Sequence, residues 1–192
     1  MSENNNDQVE PGSASVTPDR PQVQLWLNDP ERAVERLRLV VADSPADPRA
    51  HLALAEEYVN RGDYYVERGL DPRASLRGAI AECDEAIRLG HDSARVCAVR
   101  APAHERLGDE DAARGIDGRG SWERAVSDCD EALTSGGWIP WISVSRALLM
   151  ERLGRPGALE ALLDAPEGPR DAEVRKAITR ARRAARAGKA KA

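Results

Sequence analysis

The chain contains no phenylalanine, and aromatic residues make up only 4% of its 192 residues. A β-sheet core depends on aromatic and β-branched side chains, whereas alanine, leucine and valine are sufficient for closely packed helices. No apolar run reaches the roughly 18 residues that suggest a membrane-spanning helix. The first residues also lack the basic start and apolar stretch of a secretory signal. The sequence therefore predicts a helical, cytoplasmic protein.

Cysteine and histidine are scarce as well, with three of each. Cys83, Cys97 and Cys129 are widely spaced, and no histidine stands in a metal-binding pattern such as CxxC or HExxH. We therefore expect reduced thiols and neither a metal nor a cofactor. The sequence motifs of nucleotide-binding loops and serine hydrolases are also missing, so we expect that the protein is not an enzyme.

Positive charge is concentrated at one end of the chain. The formal net charge is −5. Residues 169–192 contain nine basic and two acidic side chains, a net charge of +7, while residues 1–168 carry −12. All three lysines of the protein, Lys176, Lys189 and Lys191, lie in the basic segment. An acidic body thus precedes a basic C-terminal tail.

The chain contains a tandem repeat. Residues 67–90 and 113–136 align without a gap at an offset of 46, and 11 of the 24 aligned positions are identical. A period between 20 and 50 residues indicates a solenoid, in which each unit buries its apolar face against its neighbours.

Apolar residues spaced as on one face of a helix recur at the same offset of 46. Gly90 and Gly136 stand where these helices are expected to end, and Asp71-Pro72 is a start signal for the second of them. The alanines at these positions predict close helix contacts, and the two cysteines are predicted to be buried. The three stripes are Ala33, Val34, Leu37, Val40 and Val41; Ala79, Ile80, Cys83, Ala86 and Ile87; and Ala125, Val126, Cys129, Ala132 and Leu133.

A second kind of helix is predicted between these, over residues 48–69, 93–115 and 139–154. These segments share glycines spaced 46 residues apart, Gly62, Gly108 and Gly154. Pro102 within the second segment is expected either to kink the helix or to be absorbed in a shifted turn.

Two helices per unit with these small residues resemble the tetratricopeptide repeat (TPR). The family pattern maps onto Gly62, Ala79, Cys83 and Ala86 in one unit, and onto Gly108, Ala125, Cys129 and Ala132 in the next. The period is longer than the usual 34 or so residues, which we interpret as a first helix lengthened by about two turns and a stretched loop. The resemblance implies an all-α, right-handed superhelical solenoid of antiparallel helix pairs. Sel-type and HEAT-type repeats are alternatives.

The chain is accordingly divided into three parts. Residues 1–27 are predicted to be disordered because they are polar and aperiodic. Residues 28–168 form the TPR-like domain, and residues 169–192 form a basic C-terminal capping helix and tail. Seven or eight helices are expected in all.

The resemblance further implies that the first helix of each pair lines a concave groove that holds a peptide. The lysine and asparagine clamp of one well-known subset is missing, and the first helices carry arginines instead. Arginine binds carboxylate or phosphate in a bidentate manner, so an acidic or phosphorylated partner segment is predicted, with Trp141 as a candidate apolar anchor. The candidate residues are Arg61, Arg100, Arg106, Arg146, Arg152 and Trp141.

The arginines have an alternative role: they could form ion pairs with acids of their own helices, namely Glu56, Glu57, Glu105 and Glu151.

For the function, the leading hypothesis is a non-catalytic adaptor that binds a peptide or protein on its concave face. The alternative is a regulatory protein that associates with nucleic acid or anionic membrane through residues 170–192.

Overall fold

The computed structural model describes residues 29–135 and 140–157, and these contain six helices and no strand. The helices are α1 (Pro30–Asp43), α2 (Pro48–Glu67), α3 (Arg73–Arg88), α4 (Ser93–Ala113), α5 (Arg119–Ser135) and α6 (Pro140–Arg152). The predicted capping helix at 169–192 and the segment 1–27 lie outside the described residues, as does Gly136.

Local sequence explains most helix boundaries. Asp29 and Asp47 cap α1 and α2 by accepting hydrogen bonds from backbone amides, and a proline follows each of them at the first helical position. Gly90 closes α3 with a φ of 88°, as predicted. Asp71-Pro72 acts differently from the prediction: Pro72 itself occupies the cap position of α3, and Asp71 accepts a hydrogen bond from the Arg73 amide.

The first helices α2 and α4 are long, at 20 and 21 residues against 13 for α6. The difference is about two helical turns, as the repeat length predicted. Both helices run uninterrupted across their internal glycines, and α4 also continues through Pro102. Five-residue connections, 68–72 and 114–118, then lead into the second helices α3 and α5.

Consecutive helices pack against each other, and α2 also contacts α4 directly. Short connections between packed neighbours make the pairs antiparallel. We call α2–α3 unit 1 and α4–α5 unit 2. The first helices of the two units lie side by side, so residues far apart in sequence share one face of the stack.

The repeated stripes form the core. Ala79, Cys83 and Ala86 of α3 are completely buried, and so are Ala125, Cys129 and Ala132 of α5. The stripe of α1 is buried less completely: Val34 is inaccessible, whereas Val40 and its neighbour Leu39 are exposed. Among the described helices, α1 packs mainly on α2, which leaves its outer side uncovered.

Candidate functional site

A cleft runs along the face formed by α1, α2 and α4. It consists of two adjoining parts of about 330 and 290 Å³, which share the side chains of Asp63 and Glu67. We call it the acidic trough because its charged lining consists of five carboxylates and one guanidinium. These are Glu57, Asp63, Glu67, Asp109, Glu110 and Arg106.

The arginines on this face are already paired with carboxylates. Arg106 Nε lies 2.5 Å from Asp63 Oδ1, which joins α4 to α2. One repeat later, Arg152 pairs with Asp109 and joins α6 to α4. Arg152 also lies 3.8 Å from Glu105. The pairs thus form a ladder that links the first helix of each unit to the first helix of the unit before it.

Arg100 and Arg146 form a second ladder on a different side of the first helices. Arg100 reaches Asp84 of α3 at 2.5 Å, and Arg146 pairs with Asp130 of α5. Arg100 also donates from Nη2 to Asp128 at 2.7 Å, and its side chain is only 20% exposed. These two arginines therefore face second helices and do not line the acidic trough.

The remaining candidates are divided between the interior and the surface. Arg61 donates from Nε to the Ser75 hydroxyl at 3.0 Å, and its guanidinium lies 4.9 Å from the centre of the Tyr58 ring. Trp141 at the start of α6 is half exposed. Of the six candidate residues, only Arg106 lines the trough.

Four of the five arginines form ion pairs, whereas Arg61 donates to the Ser75 hydroxyl instead. The acids in these pairs are mainly aspartates that were not among those expected. Most of the acids belong to neighbouring helices and not to the arginine's own helix. Asp63 and Asp109 are 46 residues apart, as are Asp84 and Asp130. That shared spacing with the arginines was the sequence signal that could have identified the pairs.

Because the arginines are engaged, the trough keeps an excess of negative charge. Glu57 and Glu67 form no ion pair or hydrogen bond with any described residue. Burial raises the pKa of Asp63; Arg106 opposes this effect and Glu67 adds to it. Burial also raises the pKa of Glu105 against the influence of Arg152, with Asp109 adding to the rise. The surroundings of Asp63 and Glu105 thus disfavour the ionised form of each carboxyl.

A second cleft of about 450 Å³ lies between α3, α4 and α5. His104 lines it and is buried; burial lowers the pKa of its imidazole, and Nδ1 finds no partner among the described residues. The charged lining is balanced, with Arg100 and Arg124 against Asp84 and Asp128. This balance favours no particular class of ligand.

The thiols are buried, as predicted for Cys83 and Cys129. Burial raises the pKa of each of these two to about 12 and that of Cys97 to about 11. Such thiols stay protonated near neutral pH. Within residues 29–135 and 140–157, no group of three or more potential metal ligands occurs, and no helix is long and apolar enough to cross a bilayer.

Comparison with known proteins identifies one similar solved structure, described as the crystal structure of TTC0263, a thermophilic TPR protein in Thermus thermophilus. The two chains share 26% identity over 84% of this chain and 76% of the other, with a TM-score of 0.49. No family model and no curated protein matches the chain. By its own helix pairing and repeated small residues, the described part of the chain is an all-α helical repeat.

Proposed function

We propose that this protein is a non-catalytic interaction scaffold that binds a basic segment of a partner protein in the acidic trough. The observation that carries the proposal is the unneutralised charge of Glu57 and Glu67 beside three paired carboxylates on the face of the first helices. Lysine or arginine side chains entering the trough would form charge-assisted hydrogen bonds with these groups. Complementary charge would also speed the encounter.

The sign of the partner's charge differs from that inferred from the arginines alone. An acidic or phosphorylated segment would have to displace Asp63 from Arg106, and Asp109 from Arg152. It would also meet Glu57 and Glu67 at close range, and like charges brought together cost affinity. A basic segment meets neither obstacle, so the geometry supports it better.

Two fluorescent peptides of equal length, one carrying Lys and Arg and the other Asp and Glu, test the proposal directly. We expect the basic peptide to bind and its affinity to fall as salt rises, because surface charges are screened. The double variant Glu57→Gln/Glu67→Gln should weaken binding by about tenfold, or roughly 1.4 kcal/mol. Preferential binding of the acidic peptide, or unchanged affinity in the double variant, would overturn the proposal.

The matched control is Glu35→Gln/Asp43→Asn. Both side chains are exposed on α1, neither lines the trough, and the change in net charge is the same. The control should keep its affinity within about twofold, because these exposed side chains lie outside the trough lining and their charges are screened by solvent and salt. Thermal unfolding of all three proteins checks that each is folded.

The alternative function, association with nucleic acid or anionic membrane, depends on residues 170–192. These lie outside the described residues, so the alternative stays a prediction.

A further inference from the structure

We infer that the acidic trough is filled, when no partner is bound, by the basic C-terminal segment of the same chain, residues 170–192. This inference rests on the proposed function, because it names the first basic segment that the trough would meet. Its consequence is regulatory: a partner would have to compete with the protein's own tail.

Charge complementarity is the first argument. Residues 169–192 carry nine basic side chains against two acidic ones, and the rest of the chain has a net charge of −12. On the described surface, the trough combines five carboxylates with a single arginine in its lining. The second cleft has a balanced lining and offers no such attraction. The trough is therefore the better site for a polycationic segment.

Two acids without a cationic partner among the described residues, Glu57 and Glu67, restrict the expected contact with the basic segment to one part of the trough. Asp63, Asp109 and Glu110 each have an arginine partner, namely Arg106, Arg152 and Arg114. Glu57 and Glu67 have none among the described residues. A cation placed between these two glutamates also approaches Asp63, whose carboxyl is 40% exposed despite its ion pair. The stretch of α2 from residue 57 to residue 67 is thus the expected contact.

The tail can reach this stretch within one molecule. Residues 158–169, 12 in number, separate the last described residue from the basic segment, and an extended chain of that length spans up to roughly 40 Å. Packed helices lie about 8–10 Å apart, so α2 is on the order of 20 Å from α6 across the row of first helices. A tethered segment with this reach has an effective concentration in the millimolar range.

Carbodiimide cross-linking of the unmodified 192-residue chain tests the inference. The reagent joins amines to carboxylates in direct contact, and apart from the N-terminus the only amines are Lys176, Lys189 and Lys191. We expect cross-links from these lysines to Glu57, Asp63 or Glu67 in protein of monomeric mass. High salt should suppress them. Cross-links confined to α5 and α6, or found only in a dimer, would overturn the inference.

A tail variant of the 192-residue chain, Arg180→Gln/Arg182→Gln/Arg183→Gln/Arg186→Gln, provides the functional test. With the tail neutralised, the basic probe peptide should bind at least tenfold more tightly than to the wild type, because a competitor has been removed. Adding Glu57→Gln/Glu67→Gln to the tail variant should abolish that gain.

The two hypotheses fail in different ways. If the probe binds the wild type and the tail variant equally well, with Glu57 and Glu67 required in both, the tail does not occupy the trough and the proposed function survives. If the probe binds neither protein, the proposed function fails and the inference fails with it.

Discussion

Units 1 and 2 place a carboxylate at the same repeat position but pair it with different bases. In unit 1, Glu82 Oε2 lies 2.6 Å from Nδ1 of His51, whose Nε2 lies 3.1 Å from the Pro45 carbonyl oxygen. In unit 2, Asp128 accepts hydrogen bonds from Arg100 at 2.7 to 3.2 Å. Each pair ties the first helix of its unit to the second. Only the pair in unit 1 can lose its charge near neutral pH.

The two units also differ where the helices of a pair come closest. The inner glycine of unit 1, Gly62, faces Leu76, whereas Gly108 of unit 2 faces Trp122 and the backbone of Gly118. Trp122 also donates a hydrogen bond from Nε1 to Asp109 at 2.9 Å. Unit 2 is therefore the more tightly constrained of the two, through both its ion pair and its glycine contact.

The largest difference in stability is expected between two variants that each lose an arginine at the same repeat position, Arg100→Ala and Arg146→Ala. Arg100→Ala would leave Asp128, whose side chain is 7% exposed, as a buried charge without its main partner. Loss of one member of such a pair costs about 3–5 kcal/mol. The equivalent change one repeat later, Arg146→Ala, breaks a pair whose aspartate is half exposed and should cost less than about 1 kcal/mol. Urea unfolding of both variants measures the difference; equal losses would contradict it.

Glycine replacement should give a smaller but still distinct contrast. An added Cβ at Gly108 would lie 2.5 Å from the indole of Trp122 and 3.0 Å from the Gly118 carbonyl, so Gly108→Ala should cost about 1–3 kcal/mol. At Gly62 the nearest atom is a Leu76 methyl at 2.9 Å, which can turn away. Alanine is also favoured over glycine within a helix by about 0.5–1 kcal/mol, so Gly62→Ala should be close to neutral. Calorimetry of the two variants measures the losses of stability. A larger loss in Gly62→Ala than in Gly108→Ala would contradict the prediction.

The dependence of stability on pH should separate the units further. Burial lowers the pKa of His51, but its hydrogen bonds to Glu82 and Pro45 and the charge of Glu82 outweigh this, so the pKa is raised above 6.5. The folded state therefore holds this proton more tightly than the unfolded state, and the stabilisation is lost as pH rises above 6.5 through the folded-state pKa.

The variant Glu82→Gln should flatten this decline in the free energy of unfolding above about pH 6.5. His104 of unit 2 has a lowered pKa and contributes only below that range. Unfolding curves at several pH values provide the measurement. A decline of the same slope in the variant would show that Glu82 is not the group responsible.

The smallest difference is expected for the cysteines, because Cys83 and Cys129 are equally buried and both have a pKa of about 12. A bulky thiol reagent at about pH 8 should label neither in the native protein and both after unfolding. Fast labelling of one of them would mean that its unit opens locally, and would reveal an inequality between the units that the packing does not show.

Much of the fold could be predicted from the sequence because the buried positions recur at equivalent places in the two units. The alanine and cysteine stripes of α3 and α5, the long first helices and the glycine at the end of α3 were all predicted at the right residues. The exposure of Val40 was not, since periodicity marks a face as apolar but does not say whether another helix covers it. Asp71-Pro72 shows a similar limit, because the sequence marked the start of a helix here but did not determine that Pro72 itself occupies the cap position.

What the sequence determined by itself is the repeat and therefore the helical architecture, since equivalent positions in successive units have equivalent surroundings. It also determined that charge is unevenly distributed between body and tail. Only the tertiary structure decided the sign of the charge left in the acidic trough. That sign depends on which side chains meet across about 43 residues of chain, as Arg106 and Asp63 do. Once the arginines are paired, the charge left over belongs to glutamates that no pattern in the sequence distinguishes.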